Sequence, residues 1–84
     1  MTFEDAMGEA RRLELDRITA DPAVLGGKPC LRGLRFSVSQ IVDLVAEGMT
    51  ADDIVAEFPP LEAEDVRQAL RYAVVTPRDF AEPV

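Results

Sequence analysis

The sequence has no histidine, no tryptophan and a single cysteine. Without histidine, the usual general base near neutral pH and the commonest zinc ligand are both missing. Cys30 alone closes no internal disulfide and builds no cysteine-rich metal site, and its isolation points to a reducing compartment. Four Phe and one Tyr make up the aromatics, so a core must come mainly from Val, Leu, Ile and Ala. No apolar run approaches the roughly 20 residues that span a bilayer. Glu4, Asp5 and Glu9 are the reverse of the basic start of a signal peptide. A cytoplasmic protein without a membrane partner is the expectation, and neither a cofactor, a metal nor an enzymatic activity is expected.

What is present suits one small folded domain. Of the 84 residues, 48% are hydrophobic and 30% charged, a balance that supports folding rather than disorder. A chain this short buries only about 60% of its unfolded surface, so a deep enclosed active site would need a second chain. The net charge of −7 argues against loose, charge-driven binding to nucleic acid. That charge is segregated: Lys28, Arg32 and Arg35 are the charged residues between Ala23 and Val42, whereas the stretch from Asp43 to Asp65 carries acids and no cation.

Along the chain, Phe3, Ala6, Met7, Ala10 and Leu13 fall at helical spacing, so residues 1–14 read as an N-terminal helical extension interrupted by Gly8. Residues 15–75 read as a single domain. Its first part, 15–36, is a short β element: Leu15 to Thr19 as one strand, Asp21-Pro22 as a turn, and Pro29 to Phe36 pairing back with a bend or bulge at Gly33. Three helices occupy 37–75. Ser37 with Gln40 caps the first, whose apolar face is Val38, Ile41, Val42 and Val45 and which ends at Gly48. Thr50 with Asp53 caps the second, and Pro59-Pro60 stops it. The third runs from near Glu62 to about Val75, presenting Val66, Ala69, Leu70 and Ala73 inward, and its pairing with the second has helix-turn-helix proportions. Residues 76–84, with two prolines and no period, read as an extended tail.

Candidate chemistry is sparse. Gly26-Gly27-Lys28 fails as a phosphate loop, since the first Gly is missing at the required distance and no Ser or Thr follows Lys28. Lys28, Arg32 and Arg35 either form an anion-binding patch or are solvated or salt-bridged to the abundant carboxylates. Glu62, Glu64 and Asp65 read as solvated acids favoured at a helix start. Cys30 has neither a base nor a resolving thiol, so a packed thiol is the better reading. On the third helix Arg67, Gln68, Arg71 and Tyr72 flank the apolar stripe and are of types that contact DNA. The acids at its N-terminus, however, occupy the part a recognition helix offers to bases. The DNA- or anion-binding candidates are thus Lys28, Arg32, Arg35, Arg67, Gln68 and Arg71.

Arg17-Ile18-Thr19-x-Asp21-Pro22 and the core Gly27-Lys28-Pro29-Cys30-Leu31-Arg32-Gly33-x-Arg35 resemble the domain-of-unknown-function 433 family. The likeness continues through Val38-Ser39, Ala46-Glu47-Gly48-Met49, Phe58-Pro59, Glu64-Asp65-Val66 and Ala69-Leu70-x-Tyr72-Ala73, covering about residues 17–75. It implies a mainly α fold: a compact three-helix, homeodomain-like helix-turn-helix domain behind a short β-hairpin-like element and an N-terminal helix. It further implies a VapB-type bacterial antitoxin that inhibits a PIN-like ribonuclease toxin and binds its own operator DNA as a homodimer. Leu34, Phe36 and Glu62 depart from the usual family pattern. On this expectation the toxin-binding residues are Arg78 and Phe80 of the tail, with Leu34 and Phe36 adding apolar surface. The alternatives are a DNA-binding transcriptional regulator without a toxin, or a dimeric interaction domain.

Overall fold

The Ser37 hydroxyl accepts the Gln40 N–H at 3.0 Å and Thr50 accepts that of Asp53 at 3.1 Å, so two of the three helices start where a side chain satisfies an orphan amide. The computed structural model describes residue 8 and residues 10–75. The N-terminal helical extension is therefore described only in part, with residues 10–12 helical, and the tail at 76–84, Arg78 and Phe80 included, lies outside the described residues.

The described chain is mainly helical with one small sheet. Strand β1 (Ile18–Thr19) pairs antiparallel with β2 (Cys30–Leu31), Ile18 opposite Leu31 and Thr19 opposite Cys30. A 3-10 turn at Leu25–Gly27 lies between them, and helices α1 (Val38–Ala46), α2 (Ala51–Glu57) and α3 (Ala63–Val75) follow. Both strands are shorter than the sequence pattern suggests. The cause is local: Leu34 N–H bonds back to Leu31 O at 2.8 Å, so the chain turns after Leu31 rather than extending to Phe36. A bridge between Cys30 and Ser37 then delivers the chain to α1.

The helix ends follow equally local chemistry. After α1, Gly48 has φ +104 and Met49 N–H bonds to Leu44 O at 3.1 Å, the long-range bond of a glycine-terminated helix. Among the described residues a full capping box is formed at Thr50, with the Asp53 carboxylate accepting the Thr50 N–H at 3.0 Å. Ser37 caps α1 from one side only.

Ile41, Ile54, Leu61, Val66, Ala69 and Tyr72 form the helical part of the core, and Leu15, Ile18 and Leu31 seal it from the β element. Helix α3 packs on α1 and α2, and on another side Gln68 is hydrogen-bonded to the chain at Asp16 and Arg17. That second contact corrects the sequence reading of α3. Tyr72 and Gln68, read as flanking surface residues, are buried, while Leu70 and Ala73 are only partly so. A helix covered on two sides buries a wider arc than a single apolar stripe marks out.

Candidate functional site

The polar heart of the domain is Asp65, in the first turn of α3 and 0% exposed. Its neighbours in sequence suggest a solvated capping acid; instead it lies beneath two guanidinium groups. Arg32 Nε donates to Oδ1 at 2.9 Å and Arg32 Nη2 to Oδ2 at 2.8 Å, a two-pronged pair. Arg17 Nη1 reaches Oδ1 at 3.2 Å and also the exposed Glu62 at 2.7 Å. The Glu62 N–H donates to Oδ2 at 2.8 Å, so the capping role exists as well, joined to an ion-pair cluster. Burial pushes the Asp65 carboxyl up, but the hydrogen bonds from Arg32, the Glu62 N–H and Arg17 together hold it below the usual carboxylate range.

A second network adjoins the first. Gln68 accepts the Arg17 N–H at 2.8 Å and donates to Asp16 and Glu64, each at 2.9 Å. Arg67 grips Glu64 with Nη2 at 2.6 Å. Hydrogen bonds from Arg67 and Gln68 lower the Glu64 carboxyl from its usual value near 4.5 to about 2. The buried Gln68 and paired Arg67 are thus committed within the fold.

The three cations of the glycine-rich segment separate. Lys28 and Arg35 both lie within electrostatic reach of the Cys30 thiol, whereas Arg32 turns away to Asp65. Lys28, Arg35 and Arg71 are exposed and form no ion pair among the described residues. Leu34 and Phe36 pack partly buried against the core, and the Phe36 ring meets Phe58 edge-on at 5.6 Å. Cys30 is buried, donates to Lys28 O at 3.2 Å, and burial pushes its thiol up against the opposing pull of Arg35 and Lys28. It should therefore resist a thiol reagent in the native protein and react at the rate of global unfolding; rapid native-state labelling would contradict this.

Sequence reasoning missed Arg17 as a partner for α3. The available signal was a lone cation beside an apolar strand in a chain rich in acids, which names a candidate for ion pairing without naming its partner. Among the described residues, no group of three or more His, Cys, Asp or Glu is placed to hold a metal, and no helix is long and apolar enough to cross a membrane.

The family model described as "Protein of unknown function (DUF433)" matches residues 18–73, which spans both strands and nearly all of the three helices. The chain belongs to the DUF433 family. The uncharacterized protein y4eO of Sinorhizobium fredii (strain NBRC 101917 / NGR234) is 34% identical over 73 residues. That match covers 87% of this chain and 31% of y4eO, so the chain spans about a third of the length of the curated relative. The crystal structure of a DUF433 member from Anabaena variabilis ATCC 29413 is similar at a TM-score of 0.73 and 27% identity, over 93% of this chain and 76% of that one. The matched residues include β2, the turn after it and Arg32, whereas Arg17, the other arginine that pairs with Asp65, lies one residue before the match.

The acids of the cluster give a pH prediction. Asp65 and Glu64 have folded-state values below those of the unfolded chain, so their stabilisation is fully present above the unfolded values and lost as pH falls through the folded ones. Thermal stability should be flat above about pH 5 and fall between roughly pH 4 and pH 2, the range between the ordinary carboxylate values and the lowered folded-state ones. An Asp65→Asn, Glu64→Gln variant should show a shallower fall, measured by circular dichroism; an equally steep fall would place the acid sensitivity elsewhere.

Proposed function

We propose that this chain is a macromolecule-binding protein of the antitoxin type, which holds a PIN-like ribonuclease inactive through protein–protein contact. Its α2–α3 pair, of homeodomain-like helix-turn-helix proportions, then serves as a folded platform rather than a base reader. The observation that carries this reading is the use of cations inside the fold. Arg17 and Arg32 are bound to the buried Asp65 and Gln68 is buried, while Arg67 is paired with Glu64 at the surface. At the N-terminus of α3, where a recognition helix meets base edges, the exposed group is the Glu62 carboxylate, which repels phosphates. The resemblance to VapB-type antitoxins supplies the partner class, with Arg78 and Phe80 as toxin contacts and Leu34 and Phe36 as further apolar surface.

Co-expression of the chain with the product of the adjacent reading frame, which this reading expects to be a PIN-like nuclease, tests the reading. The two should co-purify, and growth arrested by the nuclease alone should be restored. A nuclease that arrests growth equally in the presence of the chain contradicts it.

A second reading, a DNA-binding regulator acting as a dimer, is favoured by the exposed and unpaired Lys28, Arg35 and Arg71. Fluorescence anisotropy on the chain's own upstream DNA across a salt series separates the two. Specific binding whose log–log salt slope falls by about one on Arg35→Ala would establish the regulator. The antitoxin reading expects only weak binding there by the isolated chain.

A further inference from the structure

Arg32 occupies a backbone position that its side-chain type disfavours. Its φ is +51, in the left-handed region where glycine and asparagine are at home, and Gly33 follows at +70. Two positive φ angles in succession are what a tight reversal between Leu31 and Leu34 requires. The strained residue is pinned on every side. Its N–H donates to Arg17 O at 2.7 Å, Gly33 N–H to Thr19 Oγ1 at 2.8 Å, and Leu34 N–H to Leu31 O at 2.8 Å. Strain held this firmly is expected where the side chain performs a task from that position.

The task is visible at the other end of the side chain. Arg32 Nη2 donates to Pro60 O as well as to Asp65 Oδ2, so one planar group touches both the turn after α2 and the first turn of α3. Leu61 anchors that turn in the core, but it has few backbone hydrogen bonds of its own, because Pro59 and Pro60 bring no N–H groups. Its own backbone closure between Glu57 and Ala63 is Leu61 N–H to Phe58 O at 2.9 Å. Arg17 reaches Glu62 and Asp65 but no group of the turn before them. Among the described residues, Arg32 is the side chain that joins the two sides of the bend.

We propose that Arg32 is a positioning residue: a strap reaching from the β turn that sets the angle between α2 and α3, and with it the surface the pair offers a partner. The assignment is independent of whether that partner is a nuclease or DNA. It also gives Arg32 a role that involves no contact with the partner.

The test reads the angle directly. Spin labels are placed at Asp52→Cys on α2 and Val74→Cys on α3, both exposed sites, in a Cys30→Ser background that keeps the buried donor. Distances are then measured by double electron–electron resonance. The parent should give one narrow distance population. Arg32→Lys keeps the charge but offers a point donor in place of a rigid fork, and should broaden the distribution or add a second population. Arg32→Gln, which removes the charge, should do the same, with helical circular dichroism retained in both. A control, Val42→Ala on α1, lowers stability away from the bend and should leave the distribution narrow. Unchanged distances in both Arg32 variants, or equal broadening in the control, would overturn the proposal.

Discussion

Asp65→Ala is expected to remove a large fraction of the stability of the domain. The carboxylate is fully buried and receives donors from Arg32, Arg17 and the Glu62 amide, so its loss strands two guanidinium groups and an N–H at once. Deleting one partner of a buried ion pair costs about 3–5 kcal/mol. Here the lower end applies, because the Arg17 and Arg32 side chains keep 27% and 34% of their surface in water and can rehydrate. A domain of this size is stable by only about 4–12 kcal/mol, so even the lower figure is a large fraction of the total. Urea unfolding should show a much lower midpoint, and Asp65→Ala with Arg32→Ala should cost less than the two single changes added together. A midpoint within experimental error of the parent would mean that the cluster is an ornament on a fold held by its apolar core alone.

The largest functional effect is expected from Arg78→Ala with Phe80→Ala. On the antitoxin reading, Phe80 enters an apolar groove of the toxin and Arg78 faces the acidic cluster of its nuclease site. A buried aromatic and an arginine are the residue types that dominate interface energetics. Truncating both should cost about 2–4 kcal/mol, or roughly 30- to 700-fold in the inhibition constant. Fold stability should be untouched, so equal urea midpoints with weakened inhibition are the expected pair of results. Inhibition at full strength would transfer the contact to the N-terminal helix or the helical face.

Much of the architecture is legible because it rests on local chemistry. Ser37, Thr50 with Asp53, Gly48 and Pro59-Pro60 mark helix boundaries through groups that act within a turn or two of themselves, and the observed ends follow them closely. The buried face of α3 is less legible, because Asp16 and Arg17 of the preceding chain bond to Gln68 on a second side of it. Nothing within residues 63–75 announces that contact.

The candidate site divides along the same line. Arg32 can be read as a cation worth noting, but its partner lies 33 positions away, and Gln68 and Asp16 are 52 apart. Spacing patterns carry no information about such pairings. The acid at position 65 looks like its neighbours at 62 and 64 until tertiary packing buries it alone. The role of Arg32 depends further on a φ of +51, which no residue type in Leu31-Arg32-Gly33-Leu34 specifies except the glycine that follows.

The central claim is that this chain works by gripping a protein, with its helical pair as scaffold. Cleavage of a fluorogenic RNA by a purified PIN-like nuclease from the same genome, titrated with the purified chain, tests it most directly. Activity should fall to background at a fixed stoichiometric ratio and return in part with the Arg78→Ala, Phe80→Ala variant. Cleavage that continues unchanged at saturating concentrations of the chain would contradict the account.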